Sequence, residues 1–275
     1  MSQPQETSED AITAEEMTGE AFPRQTSKPR NAFTELMSAT KPHRPRSTKT
    51  PSGKTYAGRD GLLAYILEPE SFPASRVISY DDDWVLIHDL YPKASVHLLL
   101  MPRNKRFYSQ HPVEAFRDPT FLTAAKEETA KAERLAASEL RRIYGPGSRA
   151  EQARIKAMEA DEPPPPEELP EGRDWAAAIL SGIHAHPSMS HLHIHIISED
   201  RYSECLRHRK HYNSFATPFL VRLNEFPLST NDPRRGKVNF LAHDMQCWRC
   251  GKNFENKFAA LKRHLEEELQ EWKKE

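Results

Sequence analysis

Residues 182–200 read GIHAHPSMSHLHIHIISED and place five histidines, His184, His186, His191, His193 and His195, within twelve positions. An extended chain points successive side chains to opposite faces, so His191, His193 and His195 fall on one face and Leu192, Ile194 and Ile196 on the other. The apolar face reads as core. The imidazole face needs another account, because each ring carries polar nitrogens that are costly to bury without partners. Core packing, metal ligation and phosphate chemistry are the three alternatives. Core histidines usually occur singly, which weighs against the first. Paired histidines on a strand suit zinc, with His184 or His186 as a third ligand, but no His-Glu-x-x-His helix accompanies them. The flanking Pro187-Ser-Met-Ser190 supplies hydroxyl and backbone N–H donors better matched to phosphate oxygens than to a cation. A pKa of about 6.5 leaves neutral imidazole ready to attack at physiological pH, while a protonated neighbour neutralises charge on phosphoryl oxygens, and neither task needs a metal.

Working outward, WVLIHD (84–89) and SVHLLLMP (95–102) are β-rich runs separated by a turn containing Pro92, which predicts a hairpin. GLLAYILEP (61–69) predicts a short helix that stops before Pro69. From Thr120 the positions Leu122, Ala125, Ala132, Leu135, Ala136, Leu140 and Ile143 form a helical stripe closing at Gly145, whose face should pack on the sheet. AMEADEPPPPEELPEGRD (157–174) joins a proline run to many acids and predicts a surface excursion. Order returns at WAAAIL (175–180). Beyond the histidine strand, 201–226 reads as a basic, aromatic-bearing loop leading into the apolar run FLVRL.

Net charge is −1 over 275 residues, with 37% hydrophobic and 29% charged, and no apolar run approaches the roughly 20 residues that span a bilayer. A membrane role is therefore not expected. The N-terminus lacks the regions of a secretory signal, which predicts an intracellular protein. Residues 1–54 are polar and proline-rich and predict a disordered tail, with a basic arm from Arg24 to Arg59 suited to phosphate backbones. Within it NAFTELM (31–37) has helical apolar spacing and is a candidate partner-binding segment. The three cysteines are Cys205 and the close pair Cys247 and Cys250, which suggests a metal site rather than a disulfide framework.

His-φ-His-φ-His-φ-φ at His191 to Ile197 resembles the signature of the histidine-triad superfamily of nucleotide hydrolases and transferases. HDLYPKASVHLLLMP is similar to that superfamily's first hairpin, and PSMSHLHIHIIS together with KHYNSF resembles its aprataxin branch, over about Thr55 to the C-terminus. The resemblance implies an α+β fold, an antiparallel sheet with packed helices. It implies that His193 is the nucleophile, forming a covalent histidyl-AMP, that His195 contacts the phosphate and that His191 holds the nucleophile's ring. By the same resemblance His184, Asp89, Lys93, Ser188 and Met189 lie at the nucleotide, Ser188 on the phosphate and Asp89 on the ribose hydroxyls. No catalytic metal is implied.

CWRCGKNFENKFAALKRHLEEELQEW (247–272) has the Cys-x2-Cys, Phe254, Leu261 and His264 spacing of a zinc finger, with Phe and Leu as the small core under a structural zinc. Where a second histidine would stand the chain has Glu268. Its carboxylate can complete a tetrahedral site, and the i, i+4 spacing puts it on the same helix face as His264. Fungal aprataxins resemble this Cys-Cys-His-Glu arrangement. Lys262 on the finger and Lys210, His211 and Tyr212 after the triad are the candidate DNA contacts, tracking a backbone and stacking a terminal base.

Together these readings divide the chain into a tail (1–54), a catalytic domain (55–225), and a linker with zinc finger (226–275). The expected activity is removal of AMP from adenylated 5′ ends of nicked or broken duplex DNA in the nucleus, with AMP as product. The alternative is hydrolysis of small adenosine phosphoramidates or dinucleoside polyphosphates, which leaves the finger without a task. Aprataxins generally place an aromatic wedge near the first domain helix; here glycine stands at that point, with Tyr56 slightly upstream.

Overall fold

The computed structural model describes residues 48–49, 55–56, 58–236 and 238–275; the NAFTELM segment and nearly all of the basic arm lie outside them. A two-residue pair, β1 (Thr48–Lys49) with β2 (Thr55–Tyr56), precedes the main body. The centre is a six-stranded antiparallel sheet of β3 (Val77–Tyr80), β4 (Trp84–His88), β5 (His97–Pro102), β6 (Ile179–His184), β7 (Ile194–Ser198) and β8 (Leu220–Val221). Their spatial order is β3-β4-β5-β7-β6-β8. The expected hairpin is β4–β5, in register from Trp84 opposite Pro102 to His88 opposite Leu98. β3 was not anticipated: VISY is a short edge strand, with Val77 its one buried residue, too short to show a period.

One face of the sheet is covered by a long helix, here α4 (Pro119–Tyr144), which follows α1 (Leu63–Leu67), α2 (Lys105–Tyr108) and α3 (Pro112–Ala115). Its start is set chemically. The Asp118 side chain accepts from the N–H groups of Thr120 and Phe121, and Pro119 occupies the first turn, where its missing N–H costs nothing. Leu122, Ala125, Ala132, Ala136 and Leu140 of α4 pack against Leu98, Leu100, Ile194 and Ile196. Leu135 and Ile143, expected on this stripe, are exposed instead, because the buried face turns through Thr129 and Ala137. The stripe is rich in alanine, so α4 lies close on the strands.

The opposite face is divided. At one end α1 packs Leu62, Tyr65 and Ile66 onto Val85, Ile87, Leu99 and Met101. At the other lies α6 (Arg209–Ala216), preceded by α5 (Arg149–Met158). The stretch 201–226 is thus not simply a loop, and Arg149–Met158, with no strong apolar period, is helical too. Between α1 and α6 the front face carries His97, His195, Gly182 and His184, set side by side by the pairings of Leu99 with His195 and of Gly182 with His195.

The C-terminal module does not stand apart. Its helix α7 (Phe258–Trp272) buries Leu261 and Leu265 with Met245, Cys247 and Phe254, in a cluster that also contains Leu206 and Tyr212 from the half that carries the histidines. At its far end Leu269 and Trp272 join the main core, and the Trp272 indole N–H donates to Glu199 at 2.9 Å. Backbone bonds from Arg149 and Ala150 to the carbonyls of Lys274 and Glu275 fasten the last residues to α5. The finger is therefore docked at both ends of its helix. Among the described residues no helix is long and apolar enough to cross a membrane.

Candidate active site and zinc centre

Only His195 of the triad lies within β7; His191 and His193 belong to the extended segment leading into it. That segment is held from both sides, by Ser190 N–H to the Arg59 carbonyl and Leu192 N–H to the Tyr108 carbonyl, each at 2.9 Å. All three rings are at least nine-tenths buried, and the intervening Leu192, Ile194 and Ile196 point into the core as their alternation requires. His184, at the end of β6, stacks at a tilt over His195 with ring centroids 4.2 Å apart.

Hydrogen bonds settle the tautomers. His193 Nδ1 lies 2.7 Å from the carbonyl oxygen of His191. A carbonyl only accepts, so Nδ1 carries the proton and Nε2 keeps its lone pair. It is thus the backbone of His191, not its ring, that orients His193; the His191 ring rests by Tyr108, centroids 5.5 Å apart.

A second chain begins at His97, whose Nδ1 accepts from the Lys93 N–H at 3.1 Å. Its Nε2 therefore bears hydrogen and donates to His195 Nδ1 at 3.0 Å. The His195 proton is thereby fixed on Nε2, which is buried without a protein partner, as is His184 Nε2. The site thus offers a nucleophilic nitrogen at His193 and a donor at His195, with ring centroids 4.9 Å apart. Burial pushes the pKa of His193 below the usual histidine value, pushes those of His184 and His195 well below it, and lowers that of His97 to about 4. All four rings are neutral at physiological pH.

Asp89 and Lys93 sit in the β4–β5 turn. Asp89 Oδ1 accepts from Tyr91 N–H, and its Oδ2 is 3.5 Å from His97 Nε2; Lys93 Nζ donates to the Tyr91 carbonyl at 2.8 Å. Ser188 is buried in the loop between β6 and the triad, and Met189 packs against the α1 cluster. The structure therefore brings His184, His191, His193, His195, Asp89 and Lys93 around one site. It adds His97, which sequence reasoning passed over. A lone histidine heading an apolar strand carries no local signal; only the β5–β7 pairing, joining residues 98 apart, gives it one.

The expected DNA contacts divide. Lys210 is half-buried on α6 and Lys262 half-buried on α7, its ammonium 5.9 Å from the Tyr202 ring centroid. His211 and Tyr212 are a correction: both are buried, His211 Nδ1 accepting from Arg207 N–H and the Tyr212 hydroxyl donating to the Gln246 carbonyl at 2.7 Å. Tyr212 presents no face on which a base could stack. Its alternation with basic residues hid a core position on an amphipathic helix.

Cys247, Cys250, His264 and Glu268 converge, their ligand atoms all within 4.8 Å of one another. His264 Nε2 lies 3.2 Å from both Cys250 Sγ and Glu268 Oε1. Tetrahedral zinc with bonds of about 2.0 to 2.3 Å sets ligand atoms roughly 3.3 to 3.8 Å apart, so the four residues fit zinc. Gly251, at φ +71°, closes the cysteine turn in a conformation other residues adopt with strain, and its N–H donates to the Cys247 carbonyl. Arg249 donates to the other Glu268 oxygen at 2.5 Å and orients the carboxylate.

Comparison with known proteins agrees with this architecture. The HIT domain family matches residues 72–202, and the C2HE / C2H2 / C2HC zinc-binding finger family matches 216–271. The chain is 36% identical over 217 residues to an aprataxin-like protein of Schizosaccharomyces pombe, covering 78% of this chain and 82% of that one. An aprataxin-like protein of Saccharomyces cerevisiae is 34% identical, over 77% and 95% of the two chains. The crystal structure of the aprataxin ortholog Hnt3 in complex with DNA superposes with a TM-score of 0.62 at 33% identity, over 78% of this chain and 96% of that one. With the histidine-triad fold, the Cys-Cys-His-Glu cluster and these relatives in agreement, the chain belongs to the aprataxin family.

Proposed function

We propose that this protein removes AMP from adenylated 5′ ends of DNA through a covalent intermediate on His193. One observation carries the reading: the His193 Nδ1 bond to the His191 carbonyl leaves Nε2 as a free lone pair beside the donor Nε2 of His195. In the first step His193 Nε2 attacks the α-phosphorus of the adenylate. The N–P bond forms as the P–O bond to the DNA 5′-phosphate breaks, and that phosphate departs as an intact 5′ end. Water then attacks the same phosphorus, the N–P bond breaks, AMP leaves, and the water proton passes to His193 or solvent. His195 Nε2–H steadies the non-bridging oxygens throughout, with Ser188 alongside. Asp89 takes the ribose hydroxyls, and Lys93, Met189 and His184 line the nucleotide.

Metal-free chemistry suits this site. Asp89, His97 and His195 lie close enough together to hold a cation, but the Lys93 N–H on His97 Nδ1 leaves His97 Nε2 protonated, a donor rather than a ligand. The finger zinc would be structural, held by Cys247, Cys250, His264 and Glu268. Duplex DNA is the partner that gives the finger its task, a reading supported by the Hnt3–DNA complex, with Lys210 and Lys262 as phosphate contacts. We further infer a nuclear location, where DNA nicks arise, and a repair protein as the partner of the N-terminal segment 1–54.

The test compares wild type with His193→Ala on a 5′-adenylated nicked duplex and on a small adenosine phosphoramidate. Wild type is expected to release AMP from the duplex and to yield labelled protein when quenched without acid; the variant does neither. Turnover of the phosphoramidate alone would replace this reading with that of a small-molecule hydrolase.

A further inference from the structure

Helix α6 touches both halves of the molecule. Tyr212, fully buried, sits in the finger's cluster with Cys247, Phe254, Leu261 and Leu265, and its hydroxyl holds the carbonyl of Gln246, the residue before the first zinc ligand. Asn213 donates to the carbonyls of Leu241 and His243 and so grips the linker that leads into the finger. Three residues after Tyr212, Phe215 lies on the histidines. Its ring centroid is 5.2 Å from His97, 5.1 Å from His195 and 5.0 Å from His184, edge-on to the first two.

These contacts have a directional consequence. The tautomer chain depends on two directional bonds, 3.1 Å from the Lys93 backbone N–H to the His97 ring and 3.0 Å between the His97 and His195 rings, and the Phe215 ring packs against both imidazoles. Edge-to-face aromatic contacts have preferred geometry, so a displaced Phe215 disturbs His97 and His195 together, the two rings joined by the hydrogen bond. The helix bearing Phe215 is in turn positioned by the finger's core.

We propose that Phe215 is a positioning residue for the reaction and that α6 transmits the folded state of the finger to the histidine site. The finger is then required for chemistry on substrates that carry no DNA for it to grip. This rests on the hydrolase reading above.

The test uses the full chain and a small adenosine phosphoramidate. Phe215→Leu is expected to retain one zinc and a thermal midpoint close to wild type, yet to lose on the order of tenfold in kcat with KM little changed. Its imidazole 15N resonances should show mixed tautomers at His195. Phe215→Tyr, which keeps the ring, should recover most of the rate. Removing zinc from wild type should reduce phosphoramidate turnover and shift the same resonances, and both should return when zinc is restored. Unchanged kcat in Phe215→Leu, or a zinc-free wild type as fast on the phosphoramidate as the loaded protein, would overturn the proposal. Wild type inert towards every adenylate would instead defeat the hydrolase reading itself.

Discussion

Acid should destabilise this fold through its active site, and His97 gives the effect a size. Its ring is fully desolvated, and its folded-state pKa of about 4 compares with an ordinary value of about 6.5. Because folding lowers that pKa, the unfolded chain takes up the proton first. The penalty is absent above about pH 7, grows as pH falls through 6.5, and levels off near pH 4, where the folded protein accepts the proton as well. Linkage with those two values gives a loss of about 1.2 kcal/mol between pH 7 and 5.5, and about 3 kcal/mol by pH 4. His184, His193 and His195 are shifted in the same direction by the same cause, so they add to the loss. Against a typical stability of 5 to 15 kcal/mol these are large fractions. The assay is urea unfolding at pH 7.0 and 5.5 in saturating zinc, for wild type and for His97→Gln, which keeps a donor towards His195 but does not titrate. Wild type should lose about 1.2 kcal/mol more than the variant between the two conditions. Equal losses, or a smaller loss in wild type, would refute the argument that this imidazole is buried neutral.

Three further outcomes follow from the geometry. The acid limb of kcat/KM should lie below the ordinary histidine pKa, because desolvation keeps His193 deprotonated as pH falls; a limb at or above about 6.5 in a pH–rate profile would contradict this. Gly182 pairs with His195, and a Cβ there would meet the Val221 carbonyl oxygen at 2.7 Å, a backbone atom that moves only with β8. Gly182→Ala should therefore cost about 1 to 3 kcal/mol in thermal unfolding and lower activity by tilting His195; a variant as stable as wild type would mean β8 yields freely. Glu268→Ala should weaken zinc binding by on the order of 100-fold in competition with a chromogenic chelator, whereas Glu268→His should keep one zinc per chain. Equal affinity in Glu268→Ala would remove the carboxylate from the ligand set.

Much of the site was legible locally because its signals are periodic or closely spaced. The alternation from His191 to Ile197 defined two faces of an extended chain before any pairing was known, and all three imidazoles do share a side. The finger ligands were legible for the same reason: Cys247 and Cys250 fall in one turn, and His264 and Glu268 on one face of one helix. The errors lie where chemistry and burial diverge. KHY at 210–212 looked like a nucleic-acid surface because it mixes cations and aromatics, yet α6 turns His211 and Tyr212 inward.

The chain order of residues by itself determined the two-faced alternation of the histidine segment, the hairpin, the long helix and the four zinc ligands, since each depends on contacts within a few positions or on one period. Only the tertiary structure decided which imidazole nitrogen bears a proton, that His97 and Phe215 belong to the site, and that the finger shares a core with the catalytic half. Those properties arise from hydrogen bonds and packing between segments distant in sequence, which no local pattern encodes.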